Sequence, residues 1–276
     1  MTDDTAGAGG LDGTEVPPEI DPTKASIARL YDYTLGGKEH FEVDRRATES
    51  LYAVVPETNQ LAKDNRAMLQ RGVRYLVGEA GITQIIDLGS GLPTTGNVHE
   101  IARETDPDVH VVYVDIDPIV LAHGRALLSD DKTTTVIVGD IRDYPSVFAH
   151  PELVALIDTS KPYAVIASGI LHHLDDEHVG ATVEAIKERL TPGSYLFISH
   201  FLDDDEPRAK ELEQAFLHGG LGTGRFRTWA EQQAFFEGLE LVEPGLVYAN
   251  DWRPDEDTHT SSPVYTLHAG GVGRKP

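Results

Sequence analysis

The sequence predicts an α/β protein, a mostly parallel sheet with helices on both faces, preceded by a helical cover. Three observations carry this. Apolar runs of strand length alternate with helix-length segments from about residue 84 to residue 199. Three successive runs stop at a carboxylate: Ile85-Ile86 at Asp87, Val111–Val114 at Asp115, and Val136–Gly139 at Asp140. The first acid is followed at once by Gly89-Ser90-Gly91. Alternation with short connections is the mark of parallel strands joined by crossover helices. In such a sheet, strand-end carboxylates converge on one crevice.

Each element has its own signal. Residues 1–20 are Gly-, Asp- and Thr-rich and read as a disordered tail. Residues 21–81 read as the helical cover. Asp21-Pro22 predicts an N-cap with proline at the first helical position. Ile27, Leu30, Tyr31, Thr34 and Leu35 then form one stripe at helical spacing, closed by Gly36-Gly37. A second helix is expected from about Glu39 to Val55, and a third from Thr58 through Leu61, Met68, Leu69 and Leu76 toward Gly81. Residues 82–276 read as the ligand-binding domain. Its strands are expected at 84–88, 110–115, 134–138, 163–167 and 194–199. Its helices are expected near 94–104, from Pro118 to about Leu128, and near 146–157 and 176–190. A polar helix near 205–218 leads into the glycine-rich stretch His218–Gly224, which reads as a hinge. Thr228 caps a helix through Phe236. Strands at about 239–248 and 263–268 then close the chain as an antiparallel hairpin at the sheet end.

Composition removes several functions. Among 276 residues, 46 acids stand against 23 Lys and Arg, a formal net charge of −23. A field of that sign repels nucleic-acid phosphates, which need clustered cations. Arg66, Arg71 and Arg74 on one helix read as a solvated face. There are no cysteines, hence no disulfide, thiolate metal site or cysteine nucleophile. No run approaches the roughly 18 apolar residues of a membrane-spanning helix. The N-terminus has neither the basic start nor the apolar segment of a signal peptide. A cytoplasmic protein with no membrane partner is the expectation.

The chemistry points to a nucleoside-containing ligand. A carboxylate ending the second strand, Asp115, suits the two hydroxyls of a ribose, since it can accept from both. A dinucleotide fold predicts Gly-x-Gly-x-x-Gly. Here the third position is Thr94, and Pro93 removes a backbone donor where a pyrophosphate would need one. With Asp87 beside it, the crevice fits a cationic or zwitterionic ligand better than a diphosphate.

Ile86-Asp87-Leu88-Gly89-Ser90-Gly91, Val114–Pro118, Gly139-Asp140-Ile141 and Ile170–Leu174 resemble the successive motifs of class I S-adenosylmethionine-dependent methyltransferases. Ser26–Lys38 and Asn65-Arg66 resemble a narrower bacterial family of S-adenosyl methyltransferases whose substrates are largely unknown. The resemblance implies a Rossmann-like fold, a mostly parallel seven-stranded sheet with a terminal antiparallel strand, and S-adenosyl-L-methionine as cofactor. Carried over, Asp87, Gly89 and Gly91 would line the methionine moiety and Asp115 would hold the ribose. Asp140 would face the adenine amino group, with Ile116 and Ile141 against the ring and Ser168 beside the sulfonium. Arg66 would pair with the methionine carboxylate through its planar fork. Tyr31 would edge the methyl-donor pocket, and Tyr33, Lys38 and His40 would meet the acceptor.

His172 and His173 are the candidate bases, needed if the acceptor must lose a proton. The pair makes a poor metal site, and no metal is expected. A thiolate route to cytosine carbon methylation is excluded, and no Asn/Asp-Pro-Pro-aromatic stretch marks amide or adenine methylation. The reading is a methyltransferase acting on an unidentified small-molecule acceptor. The alternatives are a non-catalytic S-adenosylmethionine-binding sensor and an NAD-dependent oxidoreductase. The sequence leaves the oligomeric state open, a homodimer included.

Overall fold

In a computed structural model the described residues are 20–93, 96–128, 131–218, 221–259 and 261–276. The expected tail (save Ile20), Thr94 and two glycines of the expected hinge lie outside them. The cover starts later than Asp21-Pro22 predicts. Asp21 accepts from the N–H and hydroxyl of Thr23, a local turn. Ser26, in an extended conformation, caps the first helix, α1 (Ile27–Thr34). The second helix, α2 (Glu42–Val54), also begins late. Residues 37–39 fold back on Asp32, whose carboxylate accepts from the Glu39 N–H at 2.9 Å. Then comes α3 (Thr58–Gly78).

The alternating region follows as β1 (Gln84–Leu88), α4 (Val98–Arg103), β2 (His110–Asp115), α5 (Pro118–Leu127), β3 (Thr134–Val138), α6 (Tyr144–Phe148), α7 (Pro151–Leu156), β4 (Ala164–Ser168), α8 (Asp176–Arg189) and β5 (Tyr195–Phe201). The helix expected over 146–157 is two, because Pro151 has no N–H to continue a helix and instead opens a new one behind His150. The chain closes with α9 (Pro207–His218), α10 (Trp229–Ala234), β6 (Glu240–Leu241), β7 (Val247–Tyr248) and β8 (His268–Arg274). The strand order is β3-β2-β1-β4-β5-β8-β6, with β7 also on β8. The first five strands pair in parallel and β8 runs antiparallel to β5. The last strand is not at 263–268, where Tyr265–Leu267 form a single 3-10 turn. It lies in the glycine-rich run that follows. There the side chain of Met68 and the Ile198 carbonyl occupy the place a Cβ on Gly270 would take. The expected strand 239–248 is likewise interrupted, its two ends forming β6 and β7.

Side-chain alternation along the strands builds a core on each face. Ile85, Val111, Ile166 and Phe197 pack with Met68, Val73 and Leu76 of α3 and Ile101 of α4. Their neighbours Ile86, Val112, Val165 and Leu196 pack with Tyr144, Leu153, Val183 and Ile186 from α6, α7 and α8. A third cluster joins the cover to the chain's last third: Leu30, Leu51 and Leu61 with Leu212 and Phe216 of α9, and Phe226. The cover therefore closes over the carboxyl ends of the strands, held from both sides. No helix among the described residues is long and apolar enough to cross a membrane.

Candidate cofactor and acceptor site

Under the cover lies a cavity of about 500 Å³, within the roughly 300–1,000 Å³ of small-molecule sites. The ends of β1, β2 and β4 bring Asp87, Asp115 and Ser168 to its wall, α1 brings Tyr31, and α3 brings Asn65 and Arg66. Asp87 and Asp115 are buried. The Asp87 carboxyl is pushed up to about 7 by burial, with Arg66 opposing the rise and Asp115 adding to it. Burial likewise raises Asp115, opposed by the backbone N–H groups that it accepts from.

The first loop is built on the second strand. The N–H groups of Gly89 and Ser90 both donate to the Val114 carbonyl, at 2.8 and 3.2 Å. The Gly91 N–H donates to Asp115 at 2.8 Å, and the Asp117 N–H to the other oxygen of that carboxylate at 2.9 Å. Gly89 has φ +67° and a Cβ there would run into Ile170, so the turn requires glycine. The amides that cradle a pyrophosphate in a dinucleotide site are here committed to β2 and Asp115, which argues against the NAD alternative. The Ser90 hydroxyl is buried at the cavity wall with no partner among the described residues. Two buried carboxylates, a guanidinium and an unpartnered hydroxyl fit a zwitterionic nucleoside. Beside them Ile116 is 58% exposed, an apolar face open to a ligand ring at the cavity edge.

Five expected site residues do not line the cavity. Asp140 is drawn into capping its own 3-10 turn and into a pair with Arg142, accepting from that residue's N–H and Nε at 2.9 Å. Ile141 is buried in the core beneath. Tyr33 and His40 lie edge to face, 4.7 Å apart, and His40 is 3.2 Å from an Arg45 nitrogen. Lys38 is exposed.

Sequence reasoning gave no role to Asn65, which organises the floor. Its Oδ1 accepts from Ser199 at 2.6 Å and Ser168 at 3.2 Å, and its Nδ2 donates to the Tyr31 hydroxyl at 3.2 Å. Leu51, Leu61, Phe201 and Phe216 of the lining were also missed as site residues. Their apolar character reads as core in any sequence.

His172 and His173 both line the cavity. The ring of His172 lies on Phe201, 3.7 Å between centroids and 17° from parallel, and 4.2 Å from His173. His173 Nδ1 is 3.0 Å from the Thr223 hydroxyl. Behind them His200 Nε2 is 3.0 Å from the Arg227 guanidinium, so its Nδ1 carries the proton and donates to the Phe201 carbonyl at 2.7 Å. Burial holds His172 well below the usual histidine range, helped by the neighbouring His173 and His200. Burial also pushes His173 down to about 4. Both rings are neutral at pH 7. Among the described residues no group of three or more histidines and carboxylates is placed to hold a metal ion.

The S-adenosyl methyltransferase family matches this chain over residues 13–276. The chain belongs to that family. It is 46% identical to a solved protein from Thermobifida fusca YX provisionally assigned as a methyltransferase, which covers 95% of this chain and 99% of its own at a TM-score of 0.89. It is 36% identical to a DUF574 family protein from Streptomyces avermitilis MA-4680, covering 94% and 100% at the same TM-score. A carboxy-S-adenosyl-L-methionine synthase from Geobacter metallireducens is 26% identical over 181 residues, 64% of this chain and 69% of the synthase. The family member is thus an S-adenosylmethionine-dependent methyltransferase with the Rossmann-like class I fold. Its cofactor is S-adenosylmethionine, and nothing in these comparisons favours a sensor or an oxidoreductase.

Proposed function

We propose that the acid-lined end of the cavity holds the cofactor and that the acceptor is a small molecule admitted beneath the cover. Asp115 receives the ribose hydroxyls, Asp87 the methionine ammonium, and Arg66 its carboxylate. Gly89 and Gly91 let the loop approach, and Ile116 faces the adenine. Ser168 and Tyr31, both tied to Asn65, border the reacting centre. Asp140 would reach the adenine only by leaving Arg142. The bound cofactor supplies an electrophilic methyl on a sulfonium, and the protein's part is positioning and exclusion of water. The carrying observation is the meeting of Asp87 and Asp115 from adjacent strand ends with Arg66 in one cavity. The acceptor is small because the cavity is covered and the chain's charge repels polyanions. We place the protein in the cytoplasm, consistent with a chain free of cysteine.

Calorimetric titration tests the assignment. S-adenosylmethionine and S-adenosylhomocysteine bind the wild-type protein and NAD does not. Asp115→Ala weakens both ligands by about a hundredfold, the scale of two lost charge-assisted hydrogen bonds. Binding of NAD, or an unchanged affinity in the variant, overturns it.

A further inference from the structure

The other wall of the cavity has a different chemistry. Leu30, Leu51 and Leu61 descend from the cover, and Phe216 of α9 joins them in one apolar cluster against which Phe201 packs. His172 lies flat on Phe201, and His173 meets Phe216 edge-on at 6.5 Å. None of these wall residues carries a carboxylate, ammonium or guanidinium. The lining charges fall instead on 21–29, on Arg66, and on 87 and 115–117.

Two polar edges interrupt this wall. His172 is 3% exposed, yet its ring makes no hydrogen bond to any described residue. His173 uses Nδ1 toward Thr223, and its Nε2 has no partner among the described residues. Behind the rings Arg227, 2% exposed, holds His200 at 3.0 Å and is itself paired with Asp176 at 3.0 Å, and the His200 ring is 5.6 Å from that of His172. A charge of either sign on this wall, whether a protonated histidine, a ligand ammonium or a ligand carboxylate, would be buried with no opposite charge on the wall to meet it.

We propose that this wall is the acceptor subsite and that it takes an uncharged molecule with a flat apolar ring and a hydroxyl, the hydroxyl meeting the His172–His173 edges. The ring fits between leucine and phenylalanine side chains. A hydroxyl both donates and accepts, so it satisfies either tautomer of a neutral imidazole. Phosphorylated or carboxylated acceptors find no cation on the wall, and amines find no acid. This inference rests on the cofactor lying at the acid-lined end.

The test is binding to the full chain saturated with S-adenosylhomocysteine, using 2-naphthol, the 2-naphthoate anion and the 2-naphthylmethylammonium cation as probes. The expected result is 2-naphthol binding at least about tenfold more tightly than either charged probe. Equal or tighter binding of a charged probe overturns the proposal, as does no binding of 2-naphthol up to about 1 mM. Replacing a histidine by phenylalanine keeps a flat ring and removes the polar edge. In His172→Phe or His173→Phe, 2-naphthol should fall toward the affinity of 2-methylnaphthalene, which itself should hold. Equal losses of both, or loss of neither, overturn the role of the histidines. If S-adenosylhomocysteine fails to bind the wild-type protein, the cofactor assignment falls separately. The same three probes on the unloaded protein then decide the character of the wall.

Discussion

Asp87 is the residue on which the site's electrostatics turn. It stands one residue before the end of the first strand, flanked by Ile86 and Leu88, so folding buries its carboxyl, and its raised value of about 7 is chiefly that desolvation. Because the folded value lies above the unfolded one of about 3.9, the native state holds the extra proton in between. The stability tied to that proton is complete below about pH 4 and is lost as pH rises through about 7. Asp87→Asn should therefore stabilise the ligand-free protein at pH 8 by up to ~4 kcal/mol, about three units at 1.36 kcal/mol each. The gain should vanish near pH 4, as urea denaturation at the two pH values would record. Ligand binding should move the other way. An ionised Asp87 is the partner of an ammonium, so affinity for S-adenosylhomocysteine in the wild-type protein should fall as pH drops from 8 to 6, and a flat profile would remove Asp87 from that role. Asp87 and Asp115 were legible because strand periodicity and a following Gly-x-Gly fix where their side chains go. Asn65 was not, since its partners Tyr31, Ser168 and Ser199 are brought to it only by the finished fold.

At the scale of elements, the cover is joined at Asp44, the residue through which α1 and α2 meet. Fully buried, it accepts from the N–H of Ser26 at 2.9 Å, the N–H of Phe41 at 2.7 Å and Arg29 Nε at 2.8 Å. The start of α1 is also fastened to the sheet by a hydrogen bond from Ser26 to Asp117, the cap of α5. Removing one partner of a buried ion pair leaves the other charge uncompensated. Asp44→Ala should cost about 3–5 kcal/mol and loosen α1 before the sheet. Hydrogen exchange would then show protection lost in residues 27–34 and retained in β1 and β4. Uniform loss would mean that the cover and the sheet open together. The parallel strands were legible to within a residue or two at each end, because both their faces are buried and apolar runs announce them. The last strand was not. Gly270, Gly271 and Gly273 lie beyond the strand expected at 263–268, yet they are strand residues over which Met68, Phe236 and Leu239 crowd. What selects glycine there is a neighbour distant in sequence, and no local pattern carries that information.

For the whole molecule, the balance of protons between folded and unfolded chains follows from what the sheet's carboxyl end buries. His172, His173, His200 and His268 are all held neutral there, His173 at about 4 and His200 and His268 at about 3. A histidine with a depressed folded value stabilises the protein above its unfolded value of about 6.5, and that stability is lost as pH falls toward the folded one. His99 adds in the same direction. Asp87, Asp115 and Asp32 act oppositely, since the folded state takes up protons on them first. Four histidines set against one to three carboxyls leave a net one to three protons favouring the unfolded chain. The loss is ~1.4 to ~4 kcal/mol for each pH unit between about 6 and 5. Thermal unfolding should therefore show a melting temperature that falls steadily from pH 7 to pH 5, well above the range of ordinary carboxylates. His268 has both ring nitrogens buried without a partner among the described residues. Its replacement by phenylalanine removes one of the four histidine protons with little change in shape, so His268→Phe should flatten that slope by about a third or more. A melting temperature constant across the window would mean that the buried histidines open to water before the fold does. The same opening would admit protons to the wall beside Phe201, so that result would bear on the acceptor subsite as directly as on stability.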